Sequence, residues 1–583
     1  MAKLPPSMRR ICSTGVLLLA ALLLLPAASP PAPAEFSTLV TQYLSESEQR
    51  DPLFADSIGI HAYDDRLPDY TPSGVAATYQ WEAAWRARFA ALDSAQLGMG
   101  ERADLRALID SIDADLLEAR TLRPYANDPS IYVNAIGDAA YLITSRNFAP
   151  LEMRMAALAK RLRHVPDLVR AAEASLEHPS KVSAELAVAQ NRGNIDMYER
   201  DVPQLARTVS PQTRAAIAAA LPAVIASLKD LQAFLAGPLL AQATGETRVG
   251  AAIFDAELQL VDGTDTPRAV LVQHARAEFA AARARMLALA EPLDRQLFPG
   301  RTHAQTGDAR IDAIVGEVLG KLSERHPSRD GVYSVAKADV ADIEAFLKRT
   351  GVVVLPVPNT LQVVPTPEFQ AGVAGAGLDP PGPFTPLAGS HYNIDQIPPS
   401  WSAQRVESYL RENNNYEMKM LTMHEAIPGH YVQFRYNALT PSLVRRVWEN
   451  GSFAEGWAVY GEGMMLDAGY GGGDPALRLF QLKWRLREFA NVIIDAEYHT
   501  GSLTKEQCLA LLRHAFQEPS EMETKWHRLE LSHVQLSSYF VGLDAITAAR
   551  SARHDTLAAF NRKLLDMGSV EPRFIQPLLV ATP

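Results

Sequence analysis

The sequence predicts a mainly α-helical protein carrying one small β element. Three features predict it. From about residue 75 to 350 an alanine-rich, amphipathic helical pattern repeats almost without strand signals. Beyond residue 470 the chain is punctuated by helix caps. Runs of extended, β-branched character are short and fall between residues 351 and 394.

Residues 1–34 read as a secretory signal peptide. Lys3, Arg9 and Arg10 make the start basic, Gly15 to Leu25 is apolar, and Ala32-Pro33-Ala34 offers a small-residue cleavage site before Glu35. The apolar run is too short for a stable membrane span, so export to the periplasm or medium is expected, with an uncleaved anchor as the other reading. Cys12 precedes the apolar run, where a lipidated cysteine does not belong. Cleavage leaves Cys508 as the lone thiol, which excludes an internal disulfide; its run Cys508-Leu509-Ala510-Leu511-Leu512 suits a core. The formal charge of −11 becomes three units more negative without Lys3, Arg9 and Arg10, which argues against nucleic acid and anionic membranes as partners.

In the helical stretch, Pro211-Gln212-Thr213 opens a helix through Arg214 to Leu221. Near residue 300 alanine-rich sequence gives way to mixed sequence, dividing the chain into a helical lobe, 35–300, and a second lobe, 301–583, within what reads as one continuous unit. Gly351 to Leu355 and Leu361 to Val364 are expected strands, and the Gly/Pro-rich residues 371 to 390 a loop. His391-Tyr392-Asn393-Ile394 is an expected edge strand. Asp474-Pro475 supplies an N-cap and first-turn proline for a helix to about Tyr498. Thr504 with Gln507, and Ser520 with Glu523, have capping-box spacing.

The chemistry concentrates in Met423-His424-Glu425-Ala426-Ile427-Pro428-Gly429-His430, followed by Ala454-Glu455-Gly456-Trp457-Ala458-Val459-Tyr460-Gly461-Glu462. A hydrolytic zinc site takes three protein ligands from His and Asp/Glu and leaves one position for water. His424, His430 and Glu455 suit the ligands, and Glu425 suits the proton acceptor. The two histidines are six residues apart rather than the four of HExxH. A straight helix would set them about 120° apart in angle and roughly 9 Å apart along its axis, too far to share an ion. Pro428 lacks an N–H and Gly429 is conformationally permissive, so a helix bulge is expected to return His430 to the ion, with left-handed backbone at Gly429 as one means and a helix ending at Pro428 with two unrelated surface histidines as the other reading. Glu455 and Glu462 are seven residues apart on one apolar helix face, where Glu462 either holds a ligand histidine or is a solvated residue.

These segments resemble a bacterial family known as domain of unknown function 885, usually grouped with gluzincin-type metallopeptidases; HEAIPGH with EGWA is its specific element. Gly59-Ile60-His61-Ala62-Tyr63-Asp64 and Tyr539-Phe540-Val541-Gly542 match its weaker motifs. The resemblance implies a large helical zincin-like fold whose small β element lies beside a deep active-site cleft, with zinc as cofactor. Asp495-Ala496-Glu497-Tyr498-His499 stands where relatives read like DTGLH, and Asn491 replaces an arginine. Arg528, Gln535 and Tyr539 are retained from an Arg-Tyr, Pro-Gly-Gln, Tyr pattern, while His533-Val534 replaces its Pro-Gly.

The expected function is an exported zinc peptidase acting on short peptides. Glu425 shuttles the proton, and His499, oriented by Asp495, or Tyr539 steadies an oxyanion. Asn393 is placed for substrate backbone and Arg528 for a substrate carboxylate. Each of these four has a plain structural alternative: a helix-end histidine, a core tyrosine, a surface strand, an exposed arginine. A zinc-bearing peptide-binding pseudoenzyme and a hydrolase of non-peptide amides or esters remain as alternatives for the whole.

Overall fold

Alanine-rich amphipathic sequence forms helices whose apolar stripes must be covered, and here they are covered by one another. The computed structural model describes residues 32–371 and 375–581. The apolar run of the signal segment lies outside the described residues; the expected cleavage site falls in the first turn of helix Ala32–Arg50. Helix Pro211–Phe234 begins at the expected Pro211, with Ser210 accepting from the Thr213 amide. Continued to Leu239 it is long and apolar enough to span a membrane. Its Ile217, Leu221, Val224, Leu228 and Leu231 are instead buried in a core with helices Ser130–Thr144, Leu151–Arg161, Val165–Ser175 and Lys181–Asp196.

The expected division near residue 300 does not separate two cores. Helix Arg268–Leu297 packs along Pro475–Thr500, and Ala275, Ala282, Met286 and Ala290 share a core with Phe480, Leu486 and Ile493. Composition shifts with helix propensity, whereas membership of a core follows which face is apolar. Helix Pro475–Thr500 has Asp474 as its cap, accepting from the Ala476 amide, and Thr504 with Gln507 forms a capping box. Ser520 caps nothing, because Pro519 already occupies the first turn; its hydroxyl meets that of Ser408 at 3.1 Å. Cys508 is fully buried in the core, as expected.

The β element is a three-stranded sheet of β1 (Leu361–Pro365), β2 (Ala376–Asp379) and β3 (Ser390–Ile394), ordered β1-β3-β2. β3 pairs in parallel with β1 and antiparallel with β2, so it is the central strand rather than an edge. Two differences from expectation have local causes. Gly351 adopts φ +66 and caps helix Val332–Thr350, so the valines that follow form a loop, with Val353 turned into the core. β2 lies inside the stretch expected as loop, because pairing with β3 overrides its poor strand propensity.

Helix Gly451–Asp467 crosses helix Gln535–Ser551 at Gly456 and Gly542. A Cβ on Gly542 would lie 1.7 Å from the Ser452 carbonyl oxygen, and one on Gly456 would lie 2.3 Å from the Gly542 carbonyl carbon. Only hydrogen fits between these backbones, and the crossing sets Glu455 and Tyr539 on facing helices. Gly542→Ala is therefore expected to destabilise the protein by about 1–3 kcal/mol, the usual penalty for overpacking, read as a lower denaturation midpoint.

Candidate metal centre

The first histidine is carried by helix Asn415–Glu425, whose cap Asn414 accepts from the amides of Tyr416 and Glu417. A buried ammonium fixes this helix: Lys483 Nζ lies 2.7 Å from Glu417 and 2.9 Å from Glu412. The helix stops at Glu425, and the second histidine opens a new one, His430–Asn437. The Pro-Gly insert is thus a break between two helices, not a bulge within one. The Ile427–Pro428 peptide is cis, and the Pro428 carbonyl accepts from Trp457 Nε1 at 2.9 Å.

Gly429 is not left-handed; its φ is −68. What requires glycine is proximity, since a Cβ there would lie 1.8 Å from the carbonyl oxygen of His424 and 2.5 Å from that of Met423. The Gly429 amide donates to that Met423 oxygen at 2.9 Å. The chain folds back onto the end of its own helix, and the imidazoles of His424 and His430 come to 4.8 Å between ring centroids, nearly perpendicular.

Helix Gly451–Asp467 brings both of its carboxylates to His424. Nε2 lies 3.2 Å from Glu455 Oε2 and Nδ1 lies 2.9 Å from Glu462 Oε1, so the ring is bracketed by residues two turns apart. His430 Nε2 is 3.5 Å from the same Glu455 oxygen. Ligands at ~2.1 Å from a tetrahedral ion stand roughly 3.4 Å apart, so the two nitrogen–oxygen separations suit a shared ion, the three donor atoms lie within 4.8 Å of one another, and their chemistry is of the kind that holds zinc. Burial works against charge on His424, but Glu455, Glu462 and Glu425 raise its pKa well above the usual histidine value. Burial likewise opposes ionisation of Glu455, yet His424 and His430 hold it well below the carboxylate range. Among the described residues three other clusters have metal-like spacing, and in one of them Asp56 is also paired with Arg161 at 2.6 Å.

His424 and Glu425 line a cavity of about 530 Å³ together with Tyr539, Arg528, Trp484 and Ala376. Arg528 donates to Gln535 Oε1 through Nε and Nη2 and to the Tyr539 oxygen at 2.7 Å, which assembles the retained Arg, Gln and Tyr at the cavity wall. Val534, just before Gln535, is held at φ +53.

Three expected site residues lie elsewhere. His499 is buried away from the cavity, its Nε2 3.0 Å from the Ser532 carbonyl oxygen and its ring stacked on Phe254; burial and nearby His533 lower its pKa to about 4. Asp495 accepts from the Ser537 amide and hydroxyl and touches neither histidine of the centre. Asn393 sits on the central strand between Val364 and Gly377, both of its edges already paired; the strand that reaches the cavity is β2, through Ala376. The sequence reading overlooked Lys525 and Arg487, which also line the cavity. The signal was present, for Lys525 lies one helical turn before Arg528 on the same face.

Fold and site together define a helical protein with a His, His, Glu cluster whose His424 lines a cavity. The chain belongs to the bacterial family of proteins of unknown function, DUF885, whose profile matches residues 52–577. Two solved structures are similar over 94% of this chain and 99% of theirs, each with a TM-score of 0.76. One, 28% identical, is described as a "putative lipoprotein of unknown function" from Shewanella oneidensis; the other, 17% identical, as a "putative lipoprotein" from Colwellia psychrerythraea. No curated protein matches.

Two predictions follow from this geometry. His424→Ala, His430→Ala or Glu455→Ala should abolish binding of one zinc per chain, while Glu462→Gln should keep the ligands but weaken the metal by about 10- to 100-fold, checked by competition with a chromophoric chelator. Gly429→Ala should also lose zinc, because its methyl group collides with the His424 carbonyl; retention of full zinc would show that the turn tolerates a side chain.

Proposed function

We propose that this chain is an exported zinc peptidase of the hydrolytic kind expected from its sequence. The observation that carries the reading is the convergence of His424, His430 and Glu455, with His424 and its neighbour Glu425 lining one cavity. Export is supported by the amino-terminal signal pattern and by similarity to proteins described as lipoproteins.

Zinc held by His424, His430 and Glu455 would supply a Lewis acid and a water acidified for attack. Glu462 holds Nδ1 of His424 and so leaves Nε2 facing the site. Glu425 follows a ligand directly and faces the cavity, placed to accept a proton and pass it to a leaving amine. Burial raises the pKa of Tyr539, which keeps its phenol neutral. Its oxygen accepts from Arg528, so its own proton is free to be donated to a developing oxyanion. Trp401, Tyr409 and Trp484 give the cavity apolar walls, and the backbone at Ala376 offers it a strand edge.

Glu425→Gln is the decisive variant. With zinc content unchanged, peptide hydrolysis read by mass spectrometry should fall by about 100-fold or more, the contribution usual for a positioned general base. Binding of peptides without any product from the unaltered, zinc-loaded protein would instead identify a binding protein.

A further inference from the structure

One helix turns two cations with little close carboxylate pairing toward the cavity. Helix Pro519–Leu531 turns Glu521, Thr524, Lys525 and Arg528 toward the cavity, a face with i, i+3, i+4, i+7 spacing. Lys525 is only 3% exposed, and its one ion pair among the described residues is with Glu521 at 3.9 Å. That carboxylate is shared with Arg487 Nη1 at 3.6 Å. Arg528 makes no ion pair among the described residues. Its Nε and Nη2 go to neutral acceptors on Gln535 and Tyr539, and its Nη1 has no protein partner there.

Lys483, on the same side of the molecule, shows how this fold treats a cation whose role is structural: it has two carboxylates within 2.9 Å. Lys525 and Arg528 are not treated that way. Burial together with the nearby charges of Arg528 and Arg487 outweighs Glu521 and Glu488 and pushes the Lys525 ammonium down to about 7. Burying an unpaired cation is costly unless a ligand supplies the counter-charge.

We propose that Arg528 and Lys525 bind the free C-terminal carboxylate of the substrate, so that the chain is cut within one or two residues of that end. This rests on the peptidase reading above and specifies its substrate class. The guanidinium presents Nη1 as a hydrogen-bond donor and Lys525 adds a point charge, a pairing suited to a carboxylate. One aromatic ring spans the gap to the metal ligands: Arg528 Cζ is 5.6 Å from the Tyr539 ring centroid, and that ring is 6.1 Å from the ring of His424. At about 3.5 Å per extended residue, one or two residues fit between the anchored carboxylate and a bond beside His424.

The test compares a tetrapeptide, Ala-Ala-Phe-Ala, as free acid and as C-terminal amide, using the zinc-loaded full chain and mass spectrometry. The acid should be cut one or two residues from its C-terminus with kcat/KM about 10- to 100-fold above the amide, and Arg528→Gln or Lys525→Gln should remove most of that preference. Equal rates for acid and amide, or a preference that survives in both variants, would overturn the proposal. Calorimetric binding of N-acetyl-Ala-Phe and its amide separates this proposal from the peptidase reading. If no peptide is cut, tighter binding of the acid that is lost in Lys525→Gln upholds the carboxylate site while the peptidase reading fails, and equal binding sinks both. A peptide amide bearing a glutamate side chain at the same position, if cut as fast as the free acid, would assign the site to acidic side chains instead.

Discussion

The contact between Gly429 and the carbonyl end of the first-histidine helix is what the centre of this protein depends on. A helix must stop before Pro428, and stopping leaves carbonyls without partners. Here the amide of Gly429 returns to satisfy the Met423 carbonyl, which is possible because no side chain separates the two backbones. The next helix therefore starts against the end of the last, and His430 is delivered beside His424 although six residues separate them. Trp457 reinforces the turn from the glutamate helix by donating to the Pro428 carbonyl, so ligand helices and turn brace one another.

Around this turn the protein buries an unusual amount of charge, and the arrangement gives each group a task. Glu455 and Glu462 reach the two nitrogens of one imidazole from a single helix. Lys483, on the long helix Pro475–Thr500, holds the first-histidine helix through Glu417 and the end of the helix before it through Glu412. Buried pairs of this kind add little net stability but make alternative placements of the helices expensive, because any shift strands a charge in a low dielectric. The glycine crossing at Gly456 and Gly542 serves the same end without charge, fixing the distance between the helices that carry Glu455 and Tyr539.

Much of the site was legible in the chain because its residues are clustered in it. His424, Glu425 and His430 lie within one short segment, and the seven-residue spacing of Glu455 and Glu462 is a helix property that survives folding. Less legible was anything settled by distant partners. Asp495 and His499 share a helix face as their spacing requires, but which way that face points depends on Phe254 and Ser537, from helices far away in sequence. Asn393 lay in a real strand, yet whether it is central or at an edge was decided by β1 and β2, the second of which has no strand-like sequence.

By itself the sequence determined the helical class, the helix starts at Pro211, Pro475 and Lys505 and the identity of the clustered donors, because these follow from local sterics, capping and spacing within one element. The tertiary structure alone decided that the turn is a fold-back rather than a bulge, that helix Arg268–Leu297 joins the second half's core, and that Lys525 and Arg487 stand with Arg528 on one wall. Each of these is a matter of which surfaces meet, and contact between surfaces depends on the apolar faces and counter-charges of separate elements, which no local pattern encodes.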